Sequence, residues 1–250
     1  MTARPPDAEV TPGTVAYFEN VGHRYGDVTV LEGVTCALEA GTVTALIGPN
    51  GSGKTTLLRI VAGLLAPFRG RVERPPRERP VGYLPQDPDF RPVFSVEETL
   101  QFYADLLEGD VDVEAALDQV GLIAARGRRV DALSGGMRRL LGLAQALLGD
   151  PPVVLLDEPT GDLDPLMTEH ILEVTADLAR SGTAVLFATH DLAGATMADT
   201  VLVLDRGTVV ASGSPGDLLD QTGSETLAAA FAALVGEGEL SVRVGTGEAG

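Results

Sequence analysis

Residues Gly48-Pro49-Asn50-Gly51-Ser52-Gly53-Lys54-Thr55-Thr56 fit the pattern G-x-x-x-x-G-K-[ST], with Gly48, Gly53, Lys54 and Thr55 at its fixed positions. No other stretch restricts so narrowly what this chain can become. The pattern carries meaning only between a strand and a helix, and both flanks comply. Val43-Thr44-Ala45-Leu46-Ile47 reads as a buried strand, and Lys54 to Leu65 carries apolar residues at helical spacing. Such a loop is built for phosphate. Its glycines let backbone N–H groups close around phosphate oxygens, the helix N-terminus adds the positive end of its dipole, and Lys54 reaches the β and γ phosphates. Thr55 is the residue that would hold Mg²⁺ through its hydroxyl.

Composition sharpens this reading. Of the 18 basic side chains every one but Lys54 is arginine. A chain that uses Arg for general positive charge has kept one compact, flexible ammonium where it must fit inside a phosphate cradle. A Gly-rich turn that merely contains Lys-Thr is the bland alternative, and the scarcity of lysine argues against it.

At 250 residues and 44% apolar, the chain can bury a core as one domain with a subdomain inserted. The one cysteine, Cys36, excludes an internal disulfide framework and reads as a small apolar core residue in a reducing compartment. No apolar run reaches the roughly 18 residues needed to cross a bilayer, and Met1-Thr2-Ala3-Arg4-Pro5-Pro6 lacks the apolar stretch of a signal peptide. The expectation is a cytoplasmic protein whose membrane work, if any, runs through a separate membrane partner. A net charge of -18 argues against nucleic acid and anionic lipid as direct ligands. The run Arg69, Arg71, Arg74, Arg77 and Arg79 is interleaved with Glu73, Glu78 and prolines, and reads as a solvated loop face.

Taken in order, residues 1 to 14 read as a flexible leader. Val15 to Val21 and Val28 to Leu38 read as strands of a small antiparallel sheet, with Gly26-Asp27 as the turn and Tyr25 just before it. Val72 and Val81 to Leu84 are further strand candidates, followed by Pro85-Gln86-Asp87-Pro88, where two prolines force an exit from regular structure. Ser95 begins a capping-box pattern, and two helices extend to Gly121 as a helical insertion. Leu133-Ser134-Gly135-Gly136 opens another helix running to Leu147, with Ser134 as its cap. Val153 to Leu156 is a buried strand of a parallel sheet. Helix 165–180, strand Ala184 to Ala188, helix 191–198, strands Thr200 to Leu204 and Thr208 to Ala211, and a helix within Thr222 to Val235 complete the alternation.

The remaining chemistry lies at strand ends. Asp157 closes the apolar run Val153 to Leu156, and lies near the phosphate loop if the two strands are sheet neighbours, where it would bind the Mg²⁺ of a nucleotide. Glu158 adds a second carboxylate able to polarise a water attacking the γ phosphate. A solvated acidic turn is the alternative, and four apolar residues upstream speak against it. His190, at the end of Ala184 to Ala188, is read as a γ-phosphate contact, although a lone histidine is more often structural. His23 and His170 are read as non-catalytic. Tyr25 is either an adenine-stacking ring or an ordinary sheet aromatic.

The ordered set Tyr25, Gly48 to Thr55, Gln86, Leu133-Ser134-Gly135-Gly136, Val153 to Glu158, Leu163-Asp164 and His190 resembles the ATP-binding cassette (ABC) ATPases, over nearly the whole chain. The resemblance implies an α/β P-loop NTPase fold with a mainly parallel core sheet, an N-terminal antiparallel β subdomain and a helical insertion subdomain over about 95–150. It implies one ABC ATPase domain over 15–235 and a flexible tail over 236–250. It gives Tyr25 as the adenine-stacking residue, Gln86 as the Mg²⁺ and water sensor, Asp157 as the metal carboxylate, Glu158 as the base and His190 as the γ-phosphate switch. In the family, the segment matching Ser134-Gly135-Gly136 caps a helix aimed at the γ phosphate held by another subunit, so two chains sandwich two ATP molecules, and Gly161-Asp162-Leu163-Asp164 matches the loop that crosses between them. Met137 stands where many members have Gln, and Gly161-Asp162 is an unusual crossing loop. Met137 with Arg138-Arg139, and a helix bearing Leu227 and Phe231, is similar to the exporter branch, which pairs with a separate permease. The expected function is therefore the ATP-hydrolysing motor of a transporter, peripheral on the inner face of the cell membrane. The alternative is a soluble ABC ATPase of a non-transport assembly such as iron-sulfur cluster biogenesis. Proteins of the family that act on DNA or ribosomes usually carry long insertions or two cassettes, and the charge here opposes that reading.

Such acidity with one lysine suggests a protein that works in high salt, where self-repulsion is screened. The thermal midpoint is expected to rise from dilute buffer to molar salt. Full stability in dilute buffer would remove the idea.

Overall fold

The computed structural model describes residues 11–236. The leader expected over 1–14 and the tail expected over 236–250 fall mostly outside them. Among the described residues nine strands form two sheets, accompanied by seven α-helices. The first sheet is antiparallel. Strands β1 (Thr14–Tyr25) and β2 (Val28–Glu39) meet at the Gly26-Asp27 turn, with β4 (Arg69–Glu73) on the other side of β1.

The second sheet has the order β5-β6-β7-β3-β8-β9. Strands β3 (Val43–Ile47), β5 (Val81–Leu84), β6 (Val153–Asp157), β7 (Ala184–Thr189) and β8 (Thr200–Asp205) run parallel, and β9 (Thr208–Gly213) returns antiparallel on the edge. Every residue of β3, β6 and β7 is buried, which is why these strands are continuous apolar runs. Successive side chains feed opposite faces. Leu46, Leu155 and Leu186 join Phe18 and Leu57 in a core shared with the antiparallel sheet and helix α1 (Lys54–Val61). Ile47, Val154 and Phe187 join a second core with Leu141 and Leu178.

That second core is roofed by α2 (Val96–Ala104), α3 (Val113–Gln119), α4 (Gly135–Leu147) and α5 (Pro165–Arg180). The expected capping box at Ser95 is formed, with Ser95 Oγ accepting from the Glu98 N–H and Glu98 returning to the Ser95 N–H. Close approach of α4 to β5 depends on Gly82, where a Cβ would fall 2.1 Å from the Ala146 carbonyl.

Several expectations needed correction. Helix α1 stops at Val61 rather than Leu65, because Gly63 turns left-handed, φ 80, and the N–H groups of Gly63 and Leu64 close back on the Ile60 and Arg59 carbonyls; the Arg74 guanidinium adds donors to the carbonyls of Ile60 and Val61, each at 2.6 Å. Arg79 likewise donates to Gln145 O in the last turn of α4 and to Leu148 O just past it. Two arginines of the supposed solvated run are thus helix-end caps, and burial holds both guanidinium groups below the usual arginine range. Residues 191–198 make only a 3-10 turn, Gly194–Met197, since the Asp191 carboxylate takes the Ala193 N–H instead of leaving it to a helix. The helix expected within Thr222 to Val235 is present as α7 (Leu227–Val235), begun by Thr226, and an unexpected helix, α6 (Pro215–Thr222), begun by Ser214, precedes it.

Phe187→Ala should leave a cavity beneath the helices and cost about 3–5 kcal/mol. Urea unfolding is expected to show a lower midpoint at unchanged slope.

Candidate functional site

Strand register determines where the chemistry gathers. In the parallel ladder Ile47 stands opposite Thr189, and Asp157 opposite Ala188. The residues that follow these strands, Gly48, His190 and Glu158, therefore emerge at one edge of the sheet, the carboxyl edge, where open α/β sheets bind ligands. Asp157 was expected near the phosphate loop through adjacency of its strand to β3, and that adjacency is absent: β7 lies between them. Contact is made across β7 instead, by the Thr55 hydroxyl donating to Asp157 Oδ1 at 3.1 Å.

The loop between β3 and α1 has the makings of an anion cradle. Helix α1 alone among the α-helices of the described residues has no side-chain cap; its N-cap is Gly53, and its first N–H groups are left to other acceptors. Gly48 sits so close to its surroundings that a Cβ would lie 2.3 Å from the Leu204 carbonyl oxygen and 2.6 Å from Ser52 Oγ. The Ser52 hydroxyl is buried with no partner, a donor in want of an acceptor. Lys54 Nζ donates to the Gly48 carbonyl at 2.8 Å and the Pro49 carbonyl at 3.4 Å, and lies 3.7 Å from Glu158 Oε1.

The two acids are held differently. Asp157 is almost wholly buried, and its carboxyl is pushed above the usual range mainly by that burial, against which the Thr55 and Tyr83 hydroxyls act. Glu158 has a left-handed backbone, φ 50, uncommon for a residue with a Cβ and costing about 1–3 kcal/mol. It is held there by its N–H donating to Ala188 O at 2.9 Å. Its Oε2 accepts the His190 N–H at 3.3 Å and stands 2.8 Å from His190 Nδ1.

A cleft of about 550 Å³ is lined by Asn50, Gly51, Gly53, Lys54, Thr55, Thr56, Gln86, Glu158 and His190, with Val30 at one wall. Gly48, Pro49 and Ser52 complete the loop behind it. Tyr25 lies apart from the cleft lining, at the end of β1, half exposed, its ring edge-on to His23 at 4.7 Å. Ser134, Gly135 and Gly136 are elsewhere too. Ser134 Oγ accepts the Met137 N–H at the start of α4, and Gly135 faces a second cleft of about 620 Å³ with Asp87, Arg138, Arg139, Gly161 and Asp162.

Two residues of this region carry no sequence signal. Tyr83 of β5 donates its hydroxyl to Asp157 Oδ2 at 3.3 Å, and burial, with the Asp157 charge second, pushes the phenol up to about 12. Arg139 of α4 donates to the Gln86 carbonyl, and burial lowers its affinity for its proton. Tyr83 looks like one more strand aromatic and Arg139 like one more surface arginine, so only the fold reveals their partners.

A glycine-cradled, uncapped helix start facing two buried acids at a sheet's carboxyl edge defines a P-loop nucleotide-binding protein. A model of the family described as ABC transporter matches residues 31–161. The chain is 36% identical over 233 residues to Nod factor export ATP-binding protein I of Cupriavidus pinatubonensis (strain JMP 134 / LMG 1197), covering 86% of this chain and 72% of that one. It is 30% identical over 224 residues to linearmycin resistance ATP-binding protein LnrL of Bacillus subtilis (strain 168), covering 84% and 72%. A solved ATP-binding subunit of an ABC transporter superposes with a TM-score of 0.80 at 28% identity, covering 89% of this chain and all of that one. The chain belongs to the ABC transporter family and is one of its nucleotide-binding ATPase cassettes. Its fold is the expected one, a mainly parallel core with an antiparallel β sheet at its N-terminal side.

Gly48→Ala should force the loop away from Leu204 and Ser52, cost about 1–3 kcal/mol of stability, and abolish binding of a fluorescent ATP analogue in a titration that the parent protein saturates.

Proposed function

We propose that this chain is the motor subunit of an ABC exporter: paired with a second cassette, identical or paralogous, it closes on ATP and drives a separate membrane permease from the inner face of the membrane. The observation that carries this reading is the division of the site. The phosphate loop, Gln86, Glu158 and His190 share one cleft, whereas Gly135, the first residue of α4, opens on another beside Gly161 and Asp162. A cassette whose α4 N-terminus faces away from its own phosphate cleft offers that helix end to the nucleotide of a partner. Export is favoured because one relative is an export ATP-binding protein and another a resistance ATP-binding protein. Among the described residues no helix is long and apolar enough to cross a membrane.

Within the cleft the proposed roles follow the geometry. Backbone N–H groups from Gly48 to Thr56 and the orphan Ser52 hydroxyl bind the triphosphate, and Lys54 swings from the Gly48 carbonyl to its β and γ oxygens. Thr55 and Asp157, with Gln86 at the rim, are the residues that would hold Mg²⁺. One carboxylate and one hydroxyl suit that ion, whose charge would neutralise the negative charge developing on the phosphate oxygens. Glu158 accepts the proton of the attacking water, with its carboxylate oriented by the His190 N–H and imidazole. His190, so held, presents its other ring edge toward the γ phosphate. Tyr25, exposed and braced by His23, supplies the face for adenine.

Glu158→Gln keeps the shape and a hydrogen-bond acceptor for His190 but removes the base. It should retain ATP binding, lose turnover by at least about 100-fold, and elute as a dimer with ATP on size exclusion. Normal hydrolysis by the variant refutes Glu158 as the base. A dead variant that stays monomeric at saturating ATP refutes the shared site.

A further inference from the structure

Asp157 is a buried carboxylate held from two sides. Its Oδ1 accepts the Thr55 hydroxyl at 3.1 Å, and its Oδ2 accepts the Tyr83 phenol at 3.3 Å. The two donors come from different parts of the fold: Thr55 from the first turn of α1, and Tyr83 from the edge strand β5, where it stands opposite Leu155. Arg59, one turn along α1 from Thr55, is near enough for its charge to act on the phenol, so that α1 bears on Asp157 both directly and through Tyr83.

A carboxylate that serves as a metal ligand must aim a lone pair, and the torsion that turns its plane is broad and soft. One donor on one oxygen leaves the group free to pivot about that contact. A second donor on the other oxygen removes the freedom, and a donor polarised by a guanidinium does so more firmly. Thr55 cannot supply both constraints, because its hydroxyl has a single proton and that proton is committed to Oδ1.

We propose that Tyr83 is a positioning residue of the metal site, its phenol holding Oδ2 of Asp157 so that Oδ1 and the Thr55 hydroxyl address the same point in the cleft. The proposal rests on Asp157 and Thr55 being the metal-holding pair. Tyr83 touches neither nucleotide nor metal and acts through Asp157. It also sits three residues before Gln86, so the strand that aims the carboxylate is the one that delivers Gln86 to the cleft rim.

The experiment uses the full chain carrying Glu158→Gln, so that ATP is not consumed, and Mn²⁺ as a paramagnetic probe in place of Mg²⁺. Tyr83→Phe keeps the ring in its packing and removes only the hydroxyl. With ATP present it should weaken Mn²⁺ binding by about tenfold, the lower end for loss of a partner behind a metal ligand, and broaden the Mn²⁺ electron paramagnetic resonance spectrum as the carboxylate becomes mobile. ATP affinity in excess chelator should not change, and the thermal midpoint without metal should fall only by the modest amount that losing one donor to a buried carboxylate costs, with the chain still folded. Unaltered Mn²⁺ affinity and spectrum in Tyr83→Phe overturn the proposal. Asp157→Asn is measured beside it: if this change also leaves Mn²⁺ binding intact, the metal-holding pair is misassigned, whereas loss there with no effect at Tyr83 sinks the role of Tyr83 alone.

Discussion

The in-register parallel ladder of β6, β7 and β3 is the constraint on which the site depends. Hydrogen bonding places Asp157 level with Ala188, and Ile47 level with Thr189, so three separate segments end at one height. A slip of one residue would turn each apolar strand over and send Leu46, Leu155 and Leu186 to the wrong core. Because both faces are buried, the hydrophobic effect fixes the register. The catalytic groups inherit their alignment from packing that has no chemical function of its own.

At that edge, charge has to be managed in a place with little water. Two adjacent carboxylates, Asp157 and Glu158, are buried together, a costly arrangement without partners. Thr55 and Tyr83 supply donors to the first, while Lys54 and His190 flank the second. The strained backbone of Glu158 turns its side chain out of the strand and into the cleft, which a residue continuing β6 could not do. In a chain of net charge -18, the lone lysine stands where two acids and a phosphate loop converge.

Arginine serves a different purpose in the same molecule. Arg74 and Arg79 close the carbonyl ends of α1 and α4, and Arg139 joins the first turns of α4 to the Gln86 carbonyl. A planar fork of donors suits carbonyl pairs at fixed spacing, and a single ammonium does not. These bonds tie the helical roof to the edge strand and the Gln86 segment, so the segment between the two clefts is held from both sides.

Local chemistry was legible in the sequence because it depends on neighbours a few residues apart. The phosphate loop, the caps at Ser95 and Ser134, and the buried runs Val43–Ile47, Val153–Asp157 and Ala184–Thr189 all declare themselves through spacing and side-chain type. Helix ends were less legible where apolar spacing ran on past the stop, as at α1, which Gly63 ends by turning left-handed although Leu64 and Leu65 continue the pattern. Only the tertiary structure decided that β7 lies between the strands of Asp157 and the phosphate loop, that Tyr83 reaches Asp157 across 74 residues of chain, and that Gly135 faces a different cleft from Lys54. The sequence by itself therefore determined which groups can handle a phosphate. Strand order and helix packing, set by the burial of two cores on opposite faces of one sheet, decided which of those groups meet.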